Sequence, residues 1–225
     1  MNKKTAILIF ANSAEKEVER KSFLSTEVFS ALNTQTLKTV EKSGIEYFHI
    51  SEKQQVGNSF GERFSNAIDT IFKKGFDKVI TIGNDTPHLK THHLVATLQQ
   101  LETKDVVLGP SKDGGFYLMG IKKAQFHKEN FIKLPWQTNR LHKKIANIAT
   151  AQNLEVQFLE LLSDLDSKED IQFILNSFKA IPLSILKLLQ KLDFTFRSTF
   201  FEEGFSILKT SFSKNLNKGS PIIFA

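Results

Sequence analysis

The chain has no cysteine among its 225 residues, which excludes a disulfide framework and any thiolate metal site and fits a protein kept in a reducing cytosol. It also lacks a long hydrophobic run. The first apolar stretch, Thr5 to Ala11, is too short to span a membrane and has no small-residue cleavage pattern behind it. A cytoplasmic protein without a transmembrane segment is expected. Charge of one sign is not concentrated anywhere: thirty basic against twenty-four acidic residues give a net +6 with histidines neutral. The lysines are scattered, so they read as solvated faces with some attraction for phosphorylated ligands, and no nucleic-acid reader motif accompanies them. No nucleic-acid partner is expected.

What is present organises itself around two turns that each follow an apolar run. Lys78 to Ile82 leads into Gly83-Asn84-Asp85-Thr86-Pro87, and Asp105 to Leu108 leads into Gly109-Pro110-Ser111-Lys112-Asp113-Gly114-Gly115. Each places a carboxylate just beyond a strand's carboxyl end, where open α/β sheets bind their ligands. Asp85 and Asp113 are thus expected to face one cleft.

The remaining periodicities supply the elements around these turns. Thr5 to Phe10 reads as a first strand, followed by a polar, glycine-free loop from Asn12 to Lys21 and a helix carrying Phe23, Val28, Phe29, Leu32 and Leu37. Ile45 to Ile50 reads as a second strand. Ser59 and Glu62 have the spacing of a capping box, opening a helix with Phe60, Phe64, Ala67, Ile68, Ile71 and Phe72 on one side. Thr91 is expected to cap a helix reaching Leu101, Trp136-Gln137-Thr138 precedes a helix to Ala151, and Glu155 to Leu159 is a further strand. Ser167-Lys168-Glu169-Asp170 opens another capped helix. Strands alternating with helices predict a parallel sheet covered on both faces. From about Ile181 two apolar stripes follow, Leu183, Leu186, Leu189 and Leu192, then Phe196, Phe200, Phe205, Leu208 and Phe212, compatible with two helices packed back on the domain. The expected division is a transferase-type domain over 1–178 and a Phe/Leu-rich extension over 179–225, whose surface also suits a homodimer.

A divalent ion such as Mg²⁺ takes hard oxygen ligands, usually one or two carboxylates, with water and substrate phosphates completing its shell. Asp85 suits that role, although an Asp before Thr-Pro is also an ordinary turn residue. Asp166, in Asp164-Leu165-Asp166, lies on a loop directly before a helix cap, and it either completes a metal site with Asp85 or favours the helix N-terminus electrostatically. Gly114-Gly115 either lets backbone approach a ligand or forms a tight connection. The histidines have no zinc-motif spacing.

Residues Val79 to Leu89, Asp105 to Gly120, Leu134 to Thr138 and Asp164 to Asp170 together resemble a bacterial family described as glycosyltransferase-like, with the patterns GSDCP, DVVLGPxxDGGYYLxG, PWST and DxDTxxD, and Gly61-Glu62-Arg63 matches its LGER segment. That family is akin to 2-phospholactate guanylyltransferase and to molybdenum-cofactor nucleotidyltransferases. The resemblance implies an α/β, three-layer, Rossmann-like GT-A fold with a mostly parallel sheet and a nucleotide-activated donor held with Mg²⁺ or Mn²⁺. It carries the metal over to Asp85 and Asp166, and a substrate-side loop over to Asp113, Gly114 and Gly115. Asp113 itself reads either as a contact to a ribose, a sugar or the acceptor hydroxyl or as a cap of its own turn. Asn84 stands in place of the usual serine and Phe116 in place of a tyrosine. The resemblance does not extend to the segment after the first strand. Relatives have Pro-Gly and Lys-Thr-Arg there, whereas this chain has no glycine before Gly44, and Arg20 and Lys21 are the replacement cations beside Glu15, Glu17 and Glu19, whose charges repel a phosphate. The readings are a transferase using a nucleotide sugar, a nucleotidyltransferase using a nucleoside triphosphate and a small acceptor, or a nucleotide-binding or assembly protein that has lost catalysis.

Overall fold

The computed structural model describes residues 4–196. Its centre is a six-stranded sheet built from β1 (Thr5–Phe10), β2 (Glu46–Ile50), β3 (Lys78–Ile82), β4 (Val106–Pro110), β5 (Phe116–Lys122) and β6 (Val156–Phe158), in the order β2-β1-β3-β5-β4-β6. Pairings β1–β2, β1–β3 and β4–β6 are parallel, while β5 runs antiparallel to both β3 and β4. The direction of β5 follows from chain length. A parallel crossover needs roughly a dozen residues or more, and only the turn Ser111 to Gly115 separates β4 from β5. That short return brings the second motif turn back to the same sheet edge it left.

Strand alternation sorts the core into two layers. Ala6 and Leu8 of β1 join Val79, Leu108, Met119 and Ile121 on one face, under α3 (Phe60–Lys73), α5 (Lys128–Ile132) and α6 (Leu141–Ala151). Ile7 and Ile9 join Ile80, Ile82, Val107 and Leu118 on the other, under α2 (Thr26–Glu41) and α4 (Thr91–Thr103). The result is the expected three-layer α/β sandwich. On the α3 face, Trp136 packs against Phe60 and Phe64 and its indole N–H donates to the Phe131 carbonyl at 2.6 Å.

Local capping matches the sequence in two places. Ser59 Oγ accepts from Glu62 N–H at 3.1 Å while the Glu62 carboxylate accepts from Ser59 N–H at 3.3 Å, and Ser167 and Asp170 repeat the exchange at the start of α7 (Lys168–Leu175). Caps of this kind stabilise a helix by about 1 kcal/mol each. Thr91 differs. It is the first residue of α4, its hydroxyl donates to the Thr39 carbonyl of α2 at 3.0 Å, and the Lys90 N–H is satisfied by Nδ1 of His93 at 3.0 Å.

The polar stretch after β1 is not a loop. Ser13 caps a short helix, α1 (Ala14–Arg20), and the Ser13 N–H and hydroxyl donate to the Glu52 carboxylate at 2.8 and 2.9 Å. A third apolar cluster joins α1, α2, α7 and a last helix, α8 (183–196), through Leu24, Phe29, Leu32, Leu165, Ile171, Ile185 and Leu189. The buried stripe of α8 therefore runs through Ile185 and Leu189, and Leu183 of the predicted stripe is exposed. Spacing of four keeps Ile185 and Leu189 on one face, whereas a count by threes from Leu183 reaches Leu189 but passes over Ile185. Phe200, Phe205, Leu208 and Phe212 lie outside the described residues. Among the described residues no helix is long and apolar enough to cross a membrane.

Candidate active site

A cleft of about 730 Å³ opens where β1, β3 and β4 end and β5 begins. It falls within the size range of small-molecule and cofactor sites. Phe10, Phe60, Phe116 and Trp136 form an aromatic part of its wall, and Lys21, Asp85, Asp113, Asp164 and Asp166 a charged part.

Asp85 reaches the cleft because β3 is buried along its whole length and the chain must turn at Gly83. Asp166 is brought to it by a backbone bond: Leu165 N–H donates to the Asp85 carbonyl at 2.9 Å. Leu165 is fully buried in the third cluster, and with it turned inward both neighbouring aspartates line the cleft. The two carboxylates meet on one point, the ammonium of Lys21. Its Nζ lies 2.7 Å from Asp85 Oδ2 and 2.7 Å from Asp166 Oδ1, and donates to the Leu165 carbonyl at 3.1 Å. Lys21 sits at the C-cap of α1, so the helix that replaced the predicted loop is what delivers it.

The electrostatics follow from one ammonium facing several carboxylates. Burial alone would push Asp85 up, but the adjacent Lys21 charge overrides it and holds the carboxyl below its ordinary value. Burial, then the Asp85 charge, pushes Asp166 up against the pull of Lys21. Asp164 is pushed well above the usual range by burial and by Asp85, Asp166 and Asp113 together, opposed by the Thr86 hydroxyl donating to its Oδ1 at 2.5 Å. Lys21 itself is raised, the two aspartates outweighing its burial. Across the lining, six acids (Glu17, Glu52, Asp85, Asp113, Asp164, Asp166) face four bases (Lys16, Arg20, Lys21, Arg63). This surplus of hard oxygen donors around a two-carboxylate focus fits a divalent cation that takes its remaining ligands from water and a bound phosphate.

The other predicted residues are placed unevenly. Asp113 lines the cleft, and its Oδ1 closes its own turn by accepting from Ser111 Oγ at 2.5 Å and Gly115 N–H at 2.9 Å. Gly115 is in the wall. Gly114, at φ +92°, abuts Asn139, whose Cα would lie 2.9 Å from an added Cβ. Asn84 is buried and its amide donates to Asn33 Oδ1 of α2 at 2.6 Å. Arg20 lines the cleft half-exposed, 3.4 Å from the buried Glu17 carboxylate, which also accepts from Asn12 Nδ2 at 2.6 Å. Glu17 therefore has local partners and is less of an obstacle to a phosphate than the sequence suggests. Asp164 and Glu52 were not singled out by sequence. Asp164 shares the Asp-x-Asp pattern with Asp166, which could have marked it, whereas nothing local marks Glu52.

The chain belongs to the uncharacterized proteins conserved in bacteria grouped as DUF2064, whose family model matches residues 16–138. No curated protein matches it. Among solved structures it is similar to a protein of Desulfovibrio desulfuricans G20 named for the nucleotide-diphospho-sugar transferases, at 22% identity over 87% of this chain and 98% of that one, with a TM-score of 0.75. That likeness shows the fold, which is the GT-A type expected. Weaker similarity links it to Rv0371c of Mycobacterium tuberculosis H37Rv (10% identity, 79% of this chain and 100% of that one, TM-score 0.49) and to 4-diphosphocytidyl-2C-methyl-D-erythritol synthase of Anaerococcus prevotii DSM 20548 (11% identity, 76% and 94%, TM-score 0.47).

Among the described residues, His92, His93 and Glu160 also bring three metal-ligating atoms within 4.8 Å of one another. Their hydrogen bonds are already committed. Nδ1 of His93 accepts from Lys90 N–H, so its proton is on Nε2, which donates to Glu160 Oε1 at 2.7 Å, and Glu160 Oε2 accepts from Lys179 Nζ at 2.6 Å. An ion there would have to strip the His93 proton and sit beside the Lys179 ammonium. This cluster is a structural tie between α4 and the segment before α8.

Proposed function

We propose that this protein is a metal-dependent transferase that uses a nucleotide-activated donor, with glycosyl transfer from a nucleotide sugar as the reaction. The observation that carries the reading is the convergence of Asp85 and Asp166 on one point of a nucleotide-sized cleft at the strand ends. A sheet with this topology binds ligands in that crevice, and the solved relative that shares the fold is named for nucleotide-diphospho-sugar transferases.

In this reading Asp85 and Asp166 hold the ion, Mg²⁺ or Mn²⁺, which when bound neutralises charge growing on the diphosphate leaving group. Arg20 and Lys21 meet the donor phosphates from the end of α1. Asn84 and Gly115 shape the floor beside them, and Gly114 supplies the left-handed backbone that keeps the turn open to the cleft. The aromatic wall takes the flat face of a base or sugar ring. Asp113 accepts the proton of the acceptor hydroxyl as that oxygen bonds to the sugar's anomeric carbon and the bond from carbon to phosphate oxygen breaks. A nucleotidyltransferase would use the same ion and cleft, with the acceptor attacking the α-phosphorus and pyrophosphate leaving.

A second reading, a nucleotide-binding protein without transfer activity, is favoured by α1 itself, because a capped helix stands where relatives carry a glycine-containing loop. Thermal melts against nucleoside triphosphates and nucleotide sugars, with and without Mn²⁺, find the donor, and turnover of that donor separates the readings. The transferase is expected to show metal-dependent stabilisation by one donor class, by about 2.7 kcal/mol at a hundredfold excess over Kd, lost in Asp85→Ala. Turnover of that donor identifies the reaction. Indifference to every donor, with or without metal, removes the proposal.

A further inference from the structure

Lys21 occupies the position at which a shared ion would be held. Its ammonium directs three contacts at three acceptors, Asp85 Oδ2, Asp166 Oδ1 and the Leu165 carbonyl, which matches all three of its N–H donors. Its side chain is 9% exposed. A divalent ion bound by the same two carboxylates would stand within a few ångströms of that charge, where two cations repel strongly in a partly dry site.

We infer that Lys21 and the divalent ion are alternative occupants of one position, so that the ion enters only as the Lys21 side chain swings away to another anion. This rests on the assignment of Asp85 and Asp166 as the metal ligands. The swing needs no core element to move, because Lys21 follows the last turn of α1 and its backbone lies at the helix C-cap. The anion that receives the released ammonium is the donor's phosphate, in the same cleft. Metal alone therefore binds the native protein weakly, and donor and metal enter together. Lys21 neutralises the aspartates before the ion enters and holds donor phosphate once the ion has replaced it.

The test uses the whole chain and Mn²⁺ alone, free ion being counted by electron paramagnetic resonance, with no nucleotide present. Lys21→Met is expected to bind one Mn²⁺ about tenfold or more tightly than the native protein, and Lys21→Met combined with Asp85→Asn to lose that gain. Lys21→Gln, whose amide can still bridge the carboxylates without charge, is the second variant should the methionine protein fail to fold, and the same tightening is expected of it. Lys21→Arg, which keeps the charge, is expected to bind Mn²⁺ no better than the native protein. If neither neutral variant binds Mn²⁺ more tightly while Asp85→Asn still weakens native binding, the inference falls and the metal assignment stands. If Asp85→Asn changes Mn²⁺ binding in no background, the metal assignment itself falls.

Discussion

Asp164 offers a sharp test of the electrostatics, because its carboxyl is raised by burial and by three neighbouring aspartates. For an acid whose folded value lies above the ordinary 3.8, the folded protein keeps a proton that the unfolded chain has already released. Stability therefore falls as pH rises through that window, by up to about 1.4 kcal/mol per pH unit for a single group. Below the ordinary value the penalty vanishes, and above the folded value it is fully present. Asp166 adds a penalty of the same sign, while Asp85, held low by Lys21, contributes stability that is present above its ordinary value and lost as pH falls. Asp164→Asn isolates one group. The amide oxygen still accepts from the Thr86 hydroxyl, and the charge is gone. The variant is expected to match the native protein near pH 3.5 and to exceed it at pH 8 by about 1–3 kcal/mol, the range for relieving an uncompensated buried polar group. Urea unfolding in chelator across pH 3.5 to 8, followed by fluorescence of Trp136, the single tryptophan, gives both curves. Parallel curves for the two proteins, or an Asn variant less stable at pH 8, would refute the placement of Asp164 among like charges.

Two further outcomes follow from the same geometry. Glu160 is held down to about 2 by the hydrogen bonds from His93 and Lys179, so its contribution is present above its ordinary 4.5 and is lost as pH falls toward 2. Its side chain is 47% exposed, which limits Glu160→Gln to a loss of roughly 0.5–1 kcal/mol at neutral pH; thermal melts at pH 7 and pH 3 check it, and an equal loss at both would contradict the assignment. Gly114→Ala forces an L side chain into φ +92° with its Cβ 2.9 Å from Asn139 Cα, a loss of about 1–3 kcal/mol. A melting temperature unchanged by that substitution would mean the turn is built differently.

Much of the scaffold was legible because local chemistry decides it. Apolar runs marked the strands, and Ser59 with Glu62 and Ser167 with Asp170 marked two helix starts, whereas the antiparallel course of β5 was not read from the sequence. Three readings went astray where a residue's partner lies far along the chain. Thr91 looked like a cap but bonds Thr39, Asn12 to Lys21 looked like a loop but its helix start is bonded to Glu52, and Leu183 looked buried although Ile185 fills the core. In each case the competing contact is tertiary, and no local pattern records it.

By itself the sequence determined the alternation of strands and helices, the two motif turns and the family to which they belong, since these depend on spacing and residue type within short windows. The tertiary structure alone decided that Asp85 and Asp166 share one cation, that the cation present is Lys21, and that Asp164 is left over. Leu165 must be buried before its neighbours turn toward the cleft, and α1 must form before Lys21 can reach them. Charges act through space, and the distances between them are set by packing rather than by position in the chain.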